Sequence, residues 1–174
     1  MLSTKWITRT DVSLYKQISK TVFDDVFDSI VIETQIQDMA PLLGERLFND
    51  INNNVSNYAT LLNGGTYEYN NITYSNYGLK AVLSYYFYAR YQMFGGIIDT
   101  PFSIVEKLEG SDSRPTTDKT KKDLYQMNRD SAFNIWRSVE NYLIRTKNPL
   151  FGLHELGHCT PSVSRSNITI SKIQ

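Results

Sequence analysis

Cys159 is the only cysteine among 174 residues, so no intrachain disulfide can form and packing must hold the fold. A lone thiol also fits a reducing compartment. Charge of one sign is lacking too: 18 Lys and Arg balance 18 Asp and Glu, for a formal net charge of zero. No global field therefore draws the chain to nucleic acid or to an anionic membrane, and any such contact would have to come from a local patch. Long apolar runs are missing. The most apolar window, Ala81 to Ala89, is closed by Lys80 and Arg90 and falls far short of the ~20 residues that cross a bilayer. The opening MLSTKWITRT has no apolar core of a secretion signal. These absences predict a soluble chain with no membrane partner. There are no repeats, heptads or low-complexity segments either.

What remains is ordinary for a globular domain: 41% hydrophobic and 21% charged residues. A chain of this length suits one domain that removes roughly 70% of its unfolded surface from water. The aromatic content is the exception, with 12 Tyr, 8 Phe and 2 Trp. Tyrosine fills cores most often, and it also gives interfaces a large contact area at low entropy cost.

The patterning predicts helices. A short one is expected over Thr8 to Ile18, with Thr10 or Asp11 as its cap. A longer one is expected over Thr21 to Met39, with Phe23, Val26, Phe27, Ile30, Thr34 and Gln37 as its inward stripe and Asp24, Asp25 and Asp28 near its start. Pro41 and Gly44 break it. Glu45 to Val55 comes next with Leu47, Phe48 and Ile51 inward, and Tyr58, Leu61 and Leu62 extend it toward Gly64 and Gly65. The period then changes. Thr66 to Tyr69 and Ile72 to Tyr74, around Asn70-Asn71, read as a small hairpin with a tight turn. Two strands alone are marginal in water, so this hairpin must lean on helices or on a neighbour.

Leu79 to Phe94 is apolar nearly all round and reads as the central helix. Ile97 to Thr116, with Pro101, Gly110 and Pro115, reads as a long connection, the most flexible-looking part of the interior. Thr117 or Asp118 then caps the clearest helix, which runs to about Thr146. Its stripe is expected at Leu124, Met127, Ser131, Ile135, Val139 and Tyr142, with Ala132, Trp136 and Leu143 beside it. The resulting fold class is mainly α: a small helical bundle over residues 1–146, with a β-hairpin near 66–74. Residues 147–174 are expected to form an extended C-terminal tail for subunit or partner contacts, because Pro149 and Pro161 oppose a helix there.

One motif looks catalytic. His154-Glu155-Leu156-Gly157-His158 fits H-E-x-x-H, which binds zinc when a helix brings both histidines to one face and the glutamate activates the metal-bound water. The context opposes it. Pro149 and Pro161 leave room for a short helix only, Gly157 lies inside it, and no His, Asp or Glu follows His158. A metal clip of His154, His158 and Cys159 is a further reading of the same residues. Gly64-Gly65 and Gly95-Gly96 lack the Gly-Lys-Ser/Thr that completes a phosphate-binding loop. Arg114, Lys119, Lys121 and Lys122 form a basic cluster that suits a solvated face better than a DNA site in a neutral chain. No enzyme activity, cofactor or metal is therefore expected. The residues expected at a protein interface are Phe151, Leu153, Ile168 and Ile170 in the tail and Tyr67 and Tyr69 in the hairpin, because apolar side chains there need cover.

Several stretches carry a resemblance. Trp6 to Asp11, Ile36-Gln37-Asp38 and Pro41 to Leu47 resemble the start of helical head–tail connector (adaptor) proteins of tailed bacteriophages. Leu61 to Tyr67, Gly78-Leu79-Lys80, Tyr85 to Arg90, Ile97 to Phe102 and Trp136 to Leu143 are similar to the same group in phages of Bacteroides, including crAss-like phages. The likeness covers roughly Trp6 to Leu150. It implies a helical bundle whose activity is assembly into a homo-oligomeric ring below the portal, a dodecamer by the usual symmetry. The ring would lengthen the DNA channel in the virion, and its subunits would be made in the host cytoplasm. The implied partners are the portal protein, a downstream connector or tail protein, and transiently the translocating DNA. The alternatives are a zinc metalloenzyme built on residues 154–158 and a small helical nucleic-acid-binding protein built on the basic cluster.

Overall fold

The computed structural model describes residues 4–19, 22–94, 97–99, 104–106 and 117–152. At its centre lies the helix Leu79–Phe94, which is α6 in chain order. Its Leu79, Val82, Leu83 and Phe87 are buried, as the all-round apolar pattern requires, and the small Ala81, Ser84 and Ala89 let neighbours approach closely. The longest helix, α7 (Asp118–Arg145), packs along it, and Thr117 caps α7 by accepting from the Thr120 N–H.

The buried stripe of α7 is Asn128, Ala132, Trp136, Val139 and Leu143, spaced by three and four. Val139 is buried as expected, and so are Ala132, Trp136 and Leu143; the rest of the expected stripe is corrected, since Met127 is 53% exposed and Ile135 and Tyr142 sit at the edge of the core. Tyr142, at that edge, also meets Tyr67 of the chain segment 65–76.

The other helices close the bundle. α1 is Arg9–Ser13, shorter than expected, and its cap is Thr8 in place of Thr10 or Asp11. Asp11 is instead the third helical residue of a capping box and reaches back to the Thr8 N–H at 2.8 Å. α2 (Asp24–Thr34) runs through a π-helical turn, Gln35–Met39, into α3 (Ala40–Leu43). The Ala40 N–H bonds back five residues to the Gln35 carbonyl. Pro41 accounts for the widening, since it has no N–H to give and its ring would press on the Gln37 carbonyl in a regular α-helix.

The wider turn also rotates the residues beyond it. Phe27, Ile30 and Thr34 face inward as the periodicity indicates, but Val31, Gln35, Asp38 and Met39 are buried as well and Gln37 is not. Phe23 and Val26, expected inside, are 79% and 47% exposed. The buried Gln35 amide is satisfied by the N-terminal segment, accepting from the Trp6 N–H at 2.9 Å and donating to the Thr4 carbonyl at 3.0 Å.

After Gly44 come α4 (Glu45–Asn53), a 3-10 turn (Val55–Tyr58) and α5 (Ala59–Asn63). Leu47, Phe48 and Ile51 face inward as expected. The hairpin forms as β1 (Gly65–Tyr69) and β2 (Ile72–Asn76), antiparallel, with Tyr69 opposite Ile72. Asn70 and Asn71 both take positive φ, 53° and 62°, which the two-residue mirror-image turn demands. The long connection after α6 also holds β3 (Ile97–Asp99) and β4 (Ile104–Glu106), a second antiparallel pair that the sequence pattern does not signal. The architecture is thus mainly α with a short hairpin.

Candidate assembly surface

The hairpin is fixed at its base by a backbone crossing. Gly64 and Gly78 both have φ near +80°, and a Cβ on Gly64 would lie 2.5 Å from the Asn76 carbonyl oxygen. One on Gly78 would lie 2.5 Å from the Gly64 nitrogen. Only glycine permits both the dihedral and the approach.

Above this base the strands sort their side chains by alternation. Tyr67, Tyr69, Ile72 and Tyr74 share one face, and Thr66, Glu68, Thr73 and Ser75 share the other. The tyrosine face lies over the end of α7. Tyr67 stacks on Tyr74 at 5.7 Å and meets Tyr142 edge-on at 5.1 Å. The Arg145 guanidinium lies 4.0 Å from the Tyr74 ring centre and 5.4 Å from that of Tyr69, and it donates to the Tyr67 hydroxyl at 3.1 Å. The Ser138 hydroxyl donates to the Ser75 carbonyl at 2.9 Å. These contacts fix a two-stranded element that would not hold alone. Its tip stays open, with Tyr69 39% and Ile72 54% exposed. Among the described residues Arg145 has no carboxylate partner, so guanidinium donors remain available.

The residues expected at an interface therefore separate. Tyr67 is half-buried and serves as internal scaffold, whereas Tyr69 is exposed at the tip. Phe151 packs edge-on against Trp136 of its own chain, 6.2 Å between ring centres. It lines a cleft of about 680 Å³ with Pro41, Leu42, Phe133 and Leu150. Leu153, Ile168 and Ile170 lie outside the described residues, as do His154, Glu155, His158, Cys159 and Arg114. Lys119 and Lys122 are exposed on the first turns of α7. Among the described residues no three His, Cys, Asp or Glu side chains gather where they could hold a metal, and no helix is long and apolar enough to cross a membrane.

Tyr74 was expected only as a hairpin residue and Tyr142 only as a core residue, and Arg145 not at all, although Tyr142 and Arg145 stand three apart on a helix and so share a face. Also missed was a buried ion cluster. Asp38, its side chain 2% exposed, accepts from Arg129 at 2.6 Å and from Arg90 at 2.7 Å, while Arg90 also reaches Glu33 at 2.7 Å. Burial opposes the charge on Arg129, but the hydrogen bond and attraction of Asp38 outweigh it and raise the guanidinium above its usual range. Burial pushes the nearby Tyr86 hydroxyl up. This cluster joins the π-helical turn to α6 and α7 and is spent on the core.

The fold and surface define a helical bundle that carries a stiffly held, aromatic hairpin. The chain belongs to DUF6712, a family of unknown function, whose model matches residues 39–158. No curated protein and no solved structure matches it.

Proposed function

We propose that this chain is a structural subunit of a tailed-bacteriophage head–tail connector, forming a homo-oligomeric ring below the portal that extends the DNA channel of the virion. The observation that carries the reading is the hairpin. Its base and one face are fixed by Gly64, Gly78, Arg145 and four tyrosines, while Tyr69 and Ile72 at its tip remain uncovered. A rigid projecting element with an apolar tip and a guanidinium that has no carboxylate partner among the described residues is suited to hold a protein partner, since tyrosine and arginine dominate the energetics of such contacts. The resemblance of Trp6 to Leu150 to connector proteins supports the same reading. A cyclic ring needs two different faces on each subunit, and one of them would be this hairpin. The portal and a downstream tail protein would take the two ends of the ring. Zero net charge suits a channel past which DNA must slide without sticking.

Native mass spectrometry of the purified chain, alone and mixed with the cognate portal, tests the proposal. The expected result is a metal-free chain that joins the portal as a ring. A monomer that holds one zinc ion and ignores the portal would overturn it in favour of metal chemistry at His154 and His158.

A further inference from the structure

We infer that the hairpin tip of one copy docks on the first turn of α2 of a second copy, an inference that rests on the ring reading. The tip offers Tyr69 and Ile72, with the Arg145 guanidinium 5.4 Å from the Tyr69 ring centre, and Lys147 stands exposed two residues further on. It is an apolar patch with cationic company. The start of α2 offers the converse. Phe23, 79% exposed, is the most open of the large hydrophobic side chains among the described residues, and Val26 stands three residues on along the same helix face. Asp24 and Asp25 are exposed beside them, and Asp24 is 90% exposed at its side chain even while bonded to Arg9 at 2.7 Å.

Both patches are apolar and so need cover, and their charges are opposite in sign. They share no residue, so joining them is heterologous: each copy keeps one of each patch free for the next, which is how a ring closes. The second copy is favoured over a foreign partner because the complement is already on the chain. Arg9 braces the acceptor patch, donating to the Val22 carbonyl at 2.8 Å as well as to Asp24, so Phe23 is presented from a fixed turn.

Charge exchange tests this in the full chain. Asp25→Lys and Lys147→Glu should each raise the concentration for half-assembly about tenfold, read by sedimentation velocity. The double variant should recover to within about twofold of the parent. Both positions are exposed, so the monomer should stay folded by circular dichroism. As an independent check, Ile72→Cys and Phe23→Cys in a Cys159→Ser background should cross-link between copies under mild oxidation, and neither cysteine alone should give a ladder. A double variant no better than either single, with no ladder, would overturn the docking while assembly in all variants left the ring reading standing. Absence of any assembly of the parent chain, alone or with portal, would overturn both.

Discussion

Arg129 lies in the buried middle of α7 with its guanidinium on the Asp38 carboxylate at 2.6 Å, whereas Arg145 lies at the end of the same helix, 4.0 Å from the ring centre of Tyr74. The first arginine spends its charge inside the molecule. Both oxygens of Asp38 are taken, one by Arg129 and one by Arg90, so a carboxylate that would be costly to bury alone becomes a three-way tie. The second arginine is held by polarisable rings and one hydroxyl, which fix its plane without neutralising it. The same residue type thus locks a core in one place and stiffens a surface in the other. The difference lies in whether the neighbour carries a countercharge.

Removing the countercharge is the strongest way to break that contrast. Asp38→Ala leaves Arg129 and Arg90 facing each other, with only Glu33 to compensate. Because Arg129 is one-third exposed, the loss should fall at the lower end for broken buried pairs, about 3 kcal/mol. Urea denaturation measures it, and a shift under 1 kcal/mol would mean water already screens the cluster. Tyr74→Ala should cost less, about 1–2 kcal/mol, and its effect should be local. Amide exchange should quicken across residues 65–76 while α6 and the middle of α7 keep their protection. Equal loosening of the core would show that the hairpin is part of the folding unit and not an appendage.

Sequence pattern revealed the elements that carry both regions and neither of the arginine contacts that distinguish them. Helix positions, the Asn70-Asn71 turn and the central role of α6 stem from periodicity and turn chemistry, which are local. The burial of Asp38 does not, because it depends on a π-helical turn set by Pro41 and on arginines 52 and 91 residues away. Phe23 and Val26 misled because period alone cannot say how far along a helix the core reaches. Of the candidate surface, Tyr67 and Tyr69 were legible as aromatics in a hairpin that needed support. Arg145 was not, since nothing in a helix-ending Ile-Arg-Thr announces three tyrosines from a distant hairpin.

A tyrosine with a carboxylate partner sharpens the comparison from the other side. Tyr58 donates its hydroxyl to Asp50 of α4, and burial followed by that bond raises its pKa from 10 to about 12. The folded state therefore holds the proton more tightly than the unfolded one. The stabilisation is complete below pH 10 and is lost as pH rises toward 12. Tyr58→Phe should cost about 1 kcal/mol at neutral pH, and its gap from the parent should close between pH 10 and 12 in parallel denaturation series. A gap that stayed constant across that range would show that the Asp50 contact is not what Tyr58 contributes.

The smallest expected effect sits at the junction of the two regions. α7 ends with Lys147 in the left-handed region at φ 53°, its N–H on the Ile144 carbonyl at 3.1 Å and the Asn148 N–H on the Leu143 carbonyl at 3.0 Å. This is the double-bonded helix stop that glycine ordinarily fills. Lys147→Gly relieves a Cβ strain of about 1 kcal/mol but removes a cation from a helix C-terminus and loosens the unfolded chain, so the net gain should be no more than about 0.5 kcal/mol. Thermal unfolding of the monomer reads that gain, and a clear loss would mean that the side chain makes contacts worth more than the strain. Set beside assembly, the same variant separates the two roles of positive charge at the end of α7. If glycine steadies the monomer yet weakens the oligomer, Lys147 is held in a strained position for what it meets on another copy, as Arg145 is held by its tyrosines.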